Sequence, residues 1–533
     1  MQTPSWQRTL ERWSPFFVMT VAAALLLFDL GGRALWWDEI INVLIDRQSV
    51  NGILTSLGAL PGSVLYRDVH PPVFHLIQHF WIGLAGSSDF AVRLPNVIFA
   101  LIALFLLYRL GSTMDGRTTG TLAVFVVGLS PFWLLYARMA RYYALTVMLG
   151  LCCTLLYLGL LKRPSRTKWA AYFAVNLVMI YTDYLVVTLL ACQMIYLVWA
   201  RPTRSWLATW VGTMVLLGLA YLPWLPIWHA QSALMGSLVL ADLAQSLFGI
   251  ALKFIFPLLS FTVGETIFPW ELPAILGYLV FAGLLIVGMI YYLRRPAPAD
   301  WPGKRLAFVI LFTAIPTLGT IALITFITPT ISFIGIANRM FFAFPFVALL
   351  VAAGLRALER QAVRVGAVVL LAAVWGYAIR NYYAGEHFFN PVYAVPVETA
   401  VADVLDQARP GDAVFSDEDT GFGYYFEQQP HDGVVHYYLD GQEGQEVLEN
   451  IAGSLAAQRP VQHTRLFILV FGRDRTRRDL PTAFTQIIEP AARVTWERGY
   501  TPEDETYRLV KQRLLGREDY RFKLFIQLYE LPQ

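Results

Sequence analysis

Charge is what this sequence has least of. Only 15% of its 533 residues are Asp, Glu, Lys or Arg, against about 25% in an average soluble domain, which excludes an ordinary water-soluble globule for most of the chain. Cysteine is scarce as well. Cys152, Cys153 and Cys192 all lie inside apolar runs, where they supply neither a disulfide framework nor a metal knuckle and are expected as lipid-facing or packed core side chains. The net charge of +3 says little, since its distribution matters more than its sum, and nothing basic enough for nucleic acid is present. No glycine-rich phosphate loop follows any predicted strand, so no nucleotide cofactor is assigned.

Apolar residues fill the space that charge leaves. They make up 56% of the chain, with aromatics at 14%, and uninterrupted apolar runs continue to about Ile379. Beyond it, charges and short strands alternate as in a soluble domain, so the chain divides into 1–379 and 380–533. A membrane-spanning helix needs about twenty apolar residues, and on that rule about eleven spans are expected. They fall near 14–35, 94–112, 118–136, 142–161, 169–183, 184–200, 206–228, 271–293, 306–327, 340–357 and 363–379. The first, preceded by Arg8 and Arg12 and lacking a clean small-residue cleavage site, reads as an uncleaved membrane helix.

Threading the spans alternately gathers Arg8, Arg12, Arg109, Arg117, Lys162, Lys168, Arg201, Arg204, Arg294, Arg295, Lys304, Arg305, Arg360 and Arg364 on one side. The positive-inside rule makes that side cytoplasmic, and an odd number of spans exports the C-terminal domain. Three outer segments are too long to be turns: 36–93, 229–270 and everything after Arg380. In the first, Leu76, Ile77, Phe80, Trp81 and Leu84 form a helical stripe after Pro71-Pro72, the pattern of a helix lying on the membrane. The second, with Phe248, Ile250, Leu252, Phe254 and Phe256, reads as interfacial or re-entrant. In the tail, strands at 413–416, 434–439 and 465–471 alternate with helices near 394–408 and 444–458, which makes a small α/β domain.

Residues able to carry chemistry are the polar outliers. Trp36-Trp37-Asp38-Glu39 sets two carboxylates at the outer mouth of the first span, where carboxylates are costly and mark function. The bland reading is that they cap the following helix. Asp183 lies in an outer turn, where Asp is also ordinary. Arg138, Arg141 and Arg339 are outer arginines, suited to a lipid phosphate. Snorkelling to headgroups competes with that role and weighs more for Arg138 and Arg93. His70 precedes the Pro71-Pro72 pair and is expected to shape and line a cavity. His75 and His79 stand at i, i+4, but no third ligand is near, so they are expected as surface histidines.

Trp37-Asp38-Glu39 after the first span, His70-Pro71-Pro72 before an aromatic helix, Phe90-Ala91-Val92-Arg93-Leu94-Pro95 entering the second span and Arg141-Tyr142-Tyr143-Ala144-Leu145 occur in a specific order. With Asn338-Arg339 and Pro345 added, the chain resembles the bacterial membrane glycosyltransferases of the GT-C fold, related to protein O-mannosyltransferases and the aminoarabinose transferase of lipid A. The resemblance covers roughly 15–380. It implies a mainly α, polytopic helical bundle with a small soluble α/β domain. It also implies transfer of a sugar from a polyprenyl-phosphate donor to a lipid, glycan or protein acceptor outside the cytoplasm. The family's catalytic acid carries over onto Asp38, with Glu39 beside it. Where many relatives have His after the fifth span, this chain has Asp183.

Chemistry read from the residues agrees with that. Asp38 is the general base for an attacking hydroxyl or amine. Arg141, Arg339 and Arg138 receive the donor phosphate, and His70, Tyr142, Asp183 and Trp37 line the substrate cavity. One displacement predicts inversion. No metal is required, though Asp38, Glu39 and Asp183 could bind a divalent ion if they converge. The competing classes are a flippase of lipid-linked glycans, which internal repeats would favour and which the sequence lacks, and a receptor whose spans only anchor it.

Overall fold

The computed structural model describes residues 5–58, 67–237, 246–327, 335–417, 419–439, 441–472, 480–500, 509 and 523–532. Twelve helices open the chain: α1 Ser5–Leu27, α2 Trp37–Asp46, α3 Val50–Gly58, α4 Val73–Ala85, α5 Asp89–Asp115, α6 Arg117–Gly128, α7 Pro131–Ala137, α8 Tyr143–Lys162, α9 Arg166–Ile180, α10 Val187–Ala200, α11 Arg204–Tyr221 and α12 Leu225–Ser237. The polar loops between them supply the caps. Ser88, Ser165 and Thr203 accept hydrogen bonds from the amides of Ala91, Lys168 and Trp206 at the starts of α5, α9 and α11, each worth about 1 kcal/mol.

A helix stands at each of the eleven predicted spans, but not all of them are long and apolar enough to cross a membrane. Among the described residues, seven helices are long and apolar enough to cross a membrane, or eight if α6 and α7 count as one broken span. That pair was expected as a single helix over 118–136. It bends by 67° because Ser130 caps a new helix and Pro131, at its first position, has no N–H to donate. All seven residues of α7 are buried. The segment 229–270 contains most of α12 and a 17-residue apolar helix, Leu247–Val263.

Small residues let two long helices touch. A Cβ on Gly288, in Leu272–Arg294, would sit 2.0 Å from the Leu350 carbonyl oxygen, and one on Gly354, in Phe344–Ala357, 2.1 Å from that of Leu284. Neither can be accommodated without parting the backbones. Gly354→Leu is therefore expected to lower the thermal midpoint in detergent by the equivalent of about 1–3 kcal/mol or more. Gly366→Leu, which meets nothing within 4 Å, should leave the midpoint unchanged.

The chain divides into two compact units, 1–31 with 42–383, and 32–41 with 384–533. The second unit thus includes a piece of the segment expected to belong with the spans. There the Leu35 amide donates to the Tyr425 hydroxyl at 2.6 Å, Trp36 meets Tyr393 edge-on and Arg33 lies over Phe388. The rest of this unit is α/β, as expected. Its sheet runs in the order β2-β1-β3-β5-β4, from β1 Ala413–Ser416, β2 Val435–Tyr438, β3 Arg465–Gly472, β4 Arg493–Tyr500 and β5 Lys523–Glu530. β1 is parallel to both neighbours, while β5 is antiparallel to β3 and β4. Val397–Gln407 and Gln442–Ala456 are the helices read from the sequence, and Leu448 and Ile451 of the latter pack with Phe415, Leu466 and Phe484.

Candidate active site

Polar residues collect where the apolar helices of the first unit end. His70 precedes α4, and Tyr142 ends the tight turn between α7 and α8. Asp183 closes the turn after α9, and Arg339 lies in the 3₁₀ segment Asn338–Ala343. Helix ends carry unpaired backbone groups, so these are the places where polar side chains are stabilised. All four line one cavity of about 240 Å³, with Val69, Tyr184, Leu185, Trp228, Gln231 and Ile324 among its other walls. Gln231 fixes part of the rim by donating to the Leu57 carbonyl at 2.9 Å and accepting from the Tyr184 hydroxyl, which Trp224 also bonds. A second groove with an entirely apolar surface, lined by Val187, Thr188, Ala191, Ile315, Gly319, Ala322, Leu323 and Phe326, shares Val187 and Leu323 with the cavity.

Asp183 is both a turn residue and a cavity wall. Its carboxylate caps the following turn through the Leu185 amide at 2.9 Å, and the residue also faces the cavity. Burial pushes its pKa up to about 7, although Leu185 and Arg339 pull the other way. Arg339 donates to the Gly335 carbonyl and lies 3.4 Å from the Asn338 carboxamide oxygen, and Asn338 is anchored to the Tyr143 hydroxyl at 2.9 Å.

Behind the cavity runs a buried ladder of opposite charges. Arg141 Nη1 donates to Asp68 Oδ2 at 2.9 Å and to Asn42 Oδ1 at 2.6 Å, and its Nη2 lies 3.2 Å from His70 Nδ1. Asp68 Oδ1 bonds His70 Nδ1, and Asp68 Oδ2 lies 3.5 Å from His75 Nε2, whose Nδ1 bonds Asp46 Oδ1 at 2.7 Å. Burial alone would raise the Asp68 pKa, but Arg141 and His70 outweigh it and hold the carboxyl well below the usual range. Burial would likewise neutralise His75, but a carboxylate at each ring nitrogen pushes its pKa up to about 9. Asp46 is pushed up to about 6 by burial, against the pull of His75. At neutral pH the ladder is therefore two carboxylates, one imidazolium and one guanidinium, which balance.

This corrects one expectation. His75 is fully buried, not a surface histidine, and His79 bonds the Asp46 backbone carbonyl at 2.8 Å. The cause is that α4 turns Phe74, His75 and Gln78 inward and leaves its apolar stripe outside, with Phe80 and Leu84 67% and 81% exposed. Arg138 stands apart from the cavity lining. Its Nη2 donates to the carbonyls of Phe28 and Asp29 at 2.8 and 2.6 Å, and its guanidinium lies over Tyr382 and Tyr383. It thus closes the turn after α1. Arg141 sits one layer behind the wall, joined to His70.

Asp38, Glu39 and Trp37 form the first turn of α2. Glu39 is fully buried and reaches back to the Trp36 amide at 3.2 Å, the reciprocal half of a capping box. Asp38 is half-buried and Trp37 is exposed. Among the described residues no group of three His, Cys, Asp or Glu side chains is arranged to hold a metal ion. Sequence reasoning missed Asp46, Asp68 and Asn42. Asp46 carried a signal, being a lone acid at the end of an apolar helix, whereas Asp68 in a polar loop carried none.

Comparison with known proteins extends the resemblance. The sequence model of the dolichyl-phosphate-mannose-protein mannosyltransferase family matches residues 69–228, a stretch that contains His70, Arg141, Tyr142 and Asp183. No curated protein matches the chain in sequence. Among solved structures, ArnT from Cupriavidus metallidurans in the apo state aligns over 96% of this chain and 97% of its own, at 13% identity and a TM-score of 0.53. The same protein bound to undecaprenyl phosphate gives 0.50 over the same coverage. The Archaeoglobus fulgidus oligosaccharyltransferase tethered with an acceptor peptide aligns over 99% of this chain and 89% of its own, at 11% identity and a TM-score of 0.50. The fold is the GT-C fold.

Proposed function

We propose that the chain is a membrane glycosyltransferase that takes a sugar from a polyprenyl-phosphate donor and passes it to a lipid, glycan or protein acceptor on the extracytoplasmic side. One observation carries the reading. Four polar residues singled out for substrate in the sequence line a single cavity, and that cavity shares two wall residues with a groove of wholly apolar surface. A guanidinium beside an apolar groove is what a lipid phosphate requires: charge for the head, hydrocarbon for the tail. The match to the mannosyltransferase family and the undecaprenyl phosphate bound to a protein of the same fold support it.

In this reading the acceptor's oxygen or nitrogen attacks the anomeric carbon. The bond from that carbon to the phosphate oxygen breaks, and its electron pair leaves with the lipid phosphate. The acceptor's proton goes to Asp38, and the single displacement inverts the anomeric centre. Arg339 balances the charge that develops on the phosphate without reorganising, and Arg141 acts on the cavity through Asp68, which holds His70. Asp38, Asn42 and Asp46 recur at intervals of four along α2, a spacing that supports Asp38 as part of a polar stripe. The positive-inside rule supports a cytoplasmic N-terminus, and an odd number of spans would then put the C-terminal part outside.

The test is transfer of radiolabelled sugar from polyprenyl-phosphate donors by the full chain in lipid vesicles. Wild type should transfer from at least one donor, and Arg339→Ala should lower the rate about 10²–10³-fold with no change in thermal midpoint. Full activity in Arg339→Ala would remove the phosphate assignment.

A further inference from the structure

His70 lines the cavity, with one ring nitrogen held by Asp68 and the other without a partner among the described residues. Asp68 Oδ1 bonds Nδ1, and an ionised carboxylate only accepts, so in this pairing Nδ1 carries the hydrogen and Arg141 Nη2, 3.2 Å away and a donor only, is a neighbour and not its partner. Around the ring stand the groups that set its charge. Asp68 and Arg141 are on the Nδ1 side, and Tyr142 lies against the ring face with centroids 4.5 Å apart. Asp183 and Arg339 are cavity walls, and His75 lies beyond Asp68. Burial opposes a second proton, and Arg141 and Arg339 act in the same direction, so the pKa of His70 lies below its usual value despite Asp68. The ring is then neutral and Nε2 bears a lone pair. No described residue bonds Nε2, while His70 itself lines the cavity.

The neighbours of His70 on those walls are engaged differently: Arg339 can only donate, one oxygen of Asp183 accepts from the Leu185 amide, and Gln231 is bonded to Leu57 and Tyr184. A neutral acceptor backed by a buried carboxylate suits a hydroxyl group, not a phosphate, whose oxygens it would repel. The hydroxyl belongs to the donor, because the apolar groove and Arg339 mark this cavity as the donor's end.

We propose that His70, oriented by Asp68, accepts a hydrogen bond at Nε2 from a hydroxyl of the donor's sugar and so determines which sugars the cavity takes. The inference rests on the transferase reading and names the residue that separates a sugar-bearing lipid phosphate from a bare one. Protonation of His70 would replace the lone pair with an N–H and add a positive charge that favours the more highly charged bare phosphate, so selection for sugar should fade on the acid side.

Calorimetric titration of the full chain in nanodiscs with geranyl phosphate and with its mannosyl, glucosyl and arabinosyl esters tests it. Wild type is expected to bind at least one sugar-bearing probe about tenfold more tightly than geranyl phosphate. His70→Phe should bind both classes alike. His70→Gln, which keeps an acceptor, should retain part of the preference and lose its decline at acid pH. An unchanged preference in His70→Phe, or wild type that does not distinguish the two classes, overturns the inference and leaves the transferase reading standing. Wild type that binds neither class overturns both.

Discussion

Asp38→Asn is expected to cut sugar transfer about 10²–10⁴-fold, the range that a positioned general base contributes. The amide cannot take the acceptor's proton, yet it keeps the size of the carboxyl. It also keeps an oxygen near the start of α2, so fold and membrane insertion should survive. Glu39→Gln supplies the contrast. Its carbonyl can still accept from the Trp36 amide, so the cap persists and activity should stay near wild type. Measuring both rates with the labelled donor separates the two adjacent acids, which sequence alone leaves side by side. If Asp38→Asn works at full rate, the base lies elsewhere. If Glu39→Gln is the dead variant, the two assignments exchange.

Asp68→Asn is expected to destabilise the first unit by about 3–5 kcal/mol, because it leaves the buried Arg141 and His75 cations with one carboxylate between them. Against a typical stability of about 5–15 kcal/mol, that should appear as a large fall in the thermal midpoint and a loss of folded protein on expression. The ladder also sets a pH dependence. The folded pKa of His75 is raised to about 9, so its contribution is complete below the unfolded value of about 6.5 and is lost as pH rises toward 9. The Asp68 pKa is depressed, so its contribution is present above about 3.9 and disappears in stronger acid. A midpoint that drops between pH 6.5 and 9 in wild type, and not in His75→Gln, checks the first limb.

The helices were legible because apolar runs long enough to cross a bilayer are rare in chains that fold in water alone. The cavity walls were legible for the complementary reason that His70, Asp183 and Arg339 interrupt such runs, and a polar interruption near hydrocarbon must be offset by something. Asp68 was invisible because an Asp in a polar loop is common, and only the fold shows it buried between Arg141 and two histidines. His75 misled because its spacing with His79 describes a helix face without saying which way that face turns. Arg138, three residues from Arg141, carries the greater weight in sequence for a role other than phosphate binding, and the turn sends it to the carbonyls after α1. The bend at Pro131 was written in the residues but hidden by the apolar run around it.

The second unit takes ten residues, 32–41, from near the start of the chain. The Leu35 amide and its partner Tyr425 are 390 positions apart, so a ribosome adding about 5–20 residues each second makes the first some 20–80 seconds before the second exists. Throughout that interval Leu35 has no native mate. A chain cut short after the spans would keep it waiting permanently, so early termination should be felt at the nascent end as well as at the missing one.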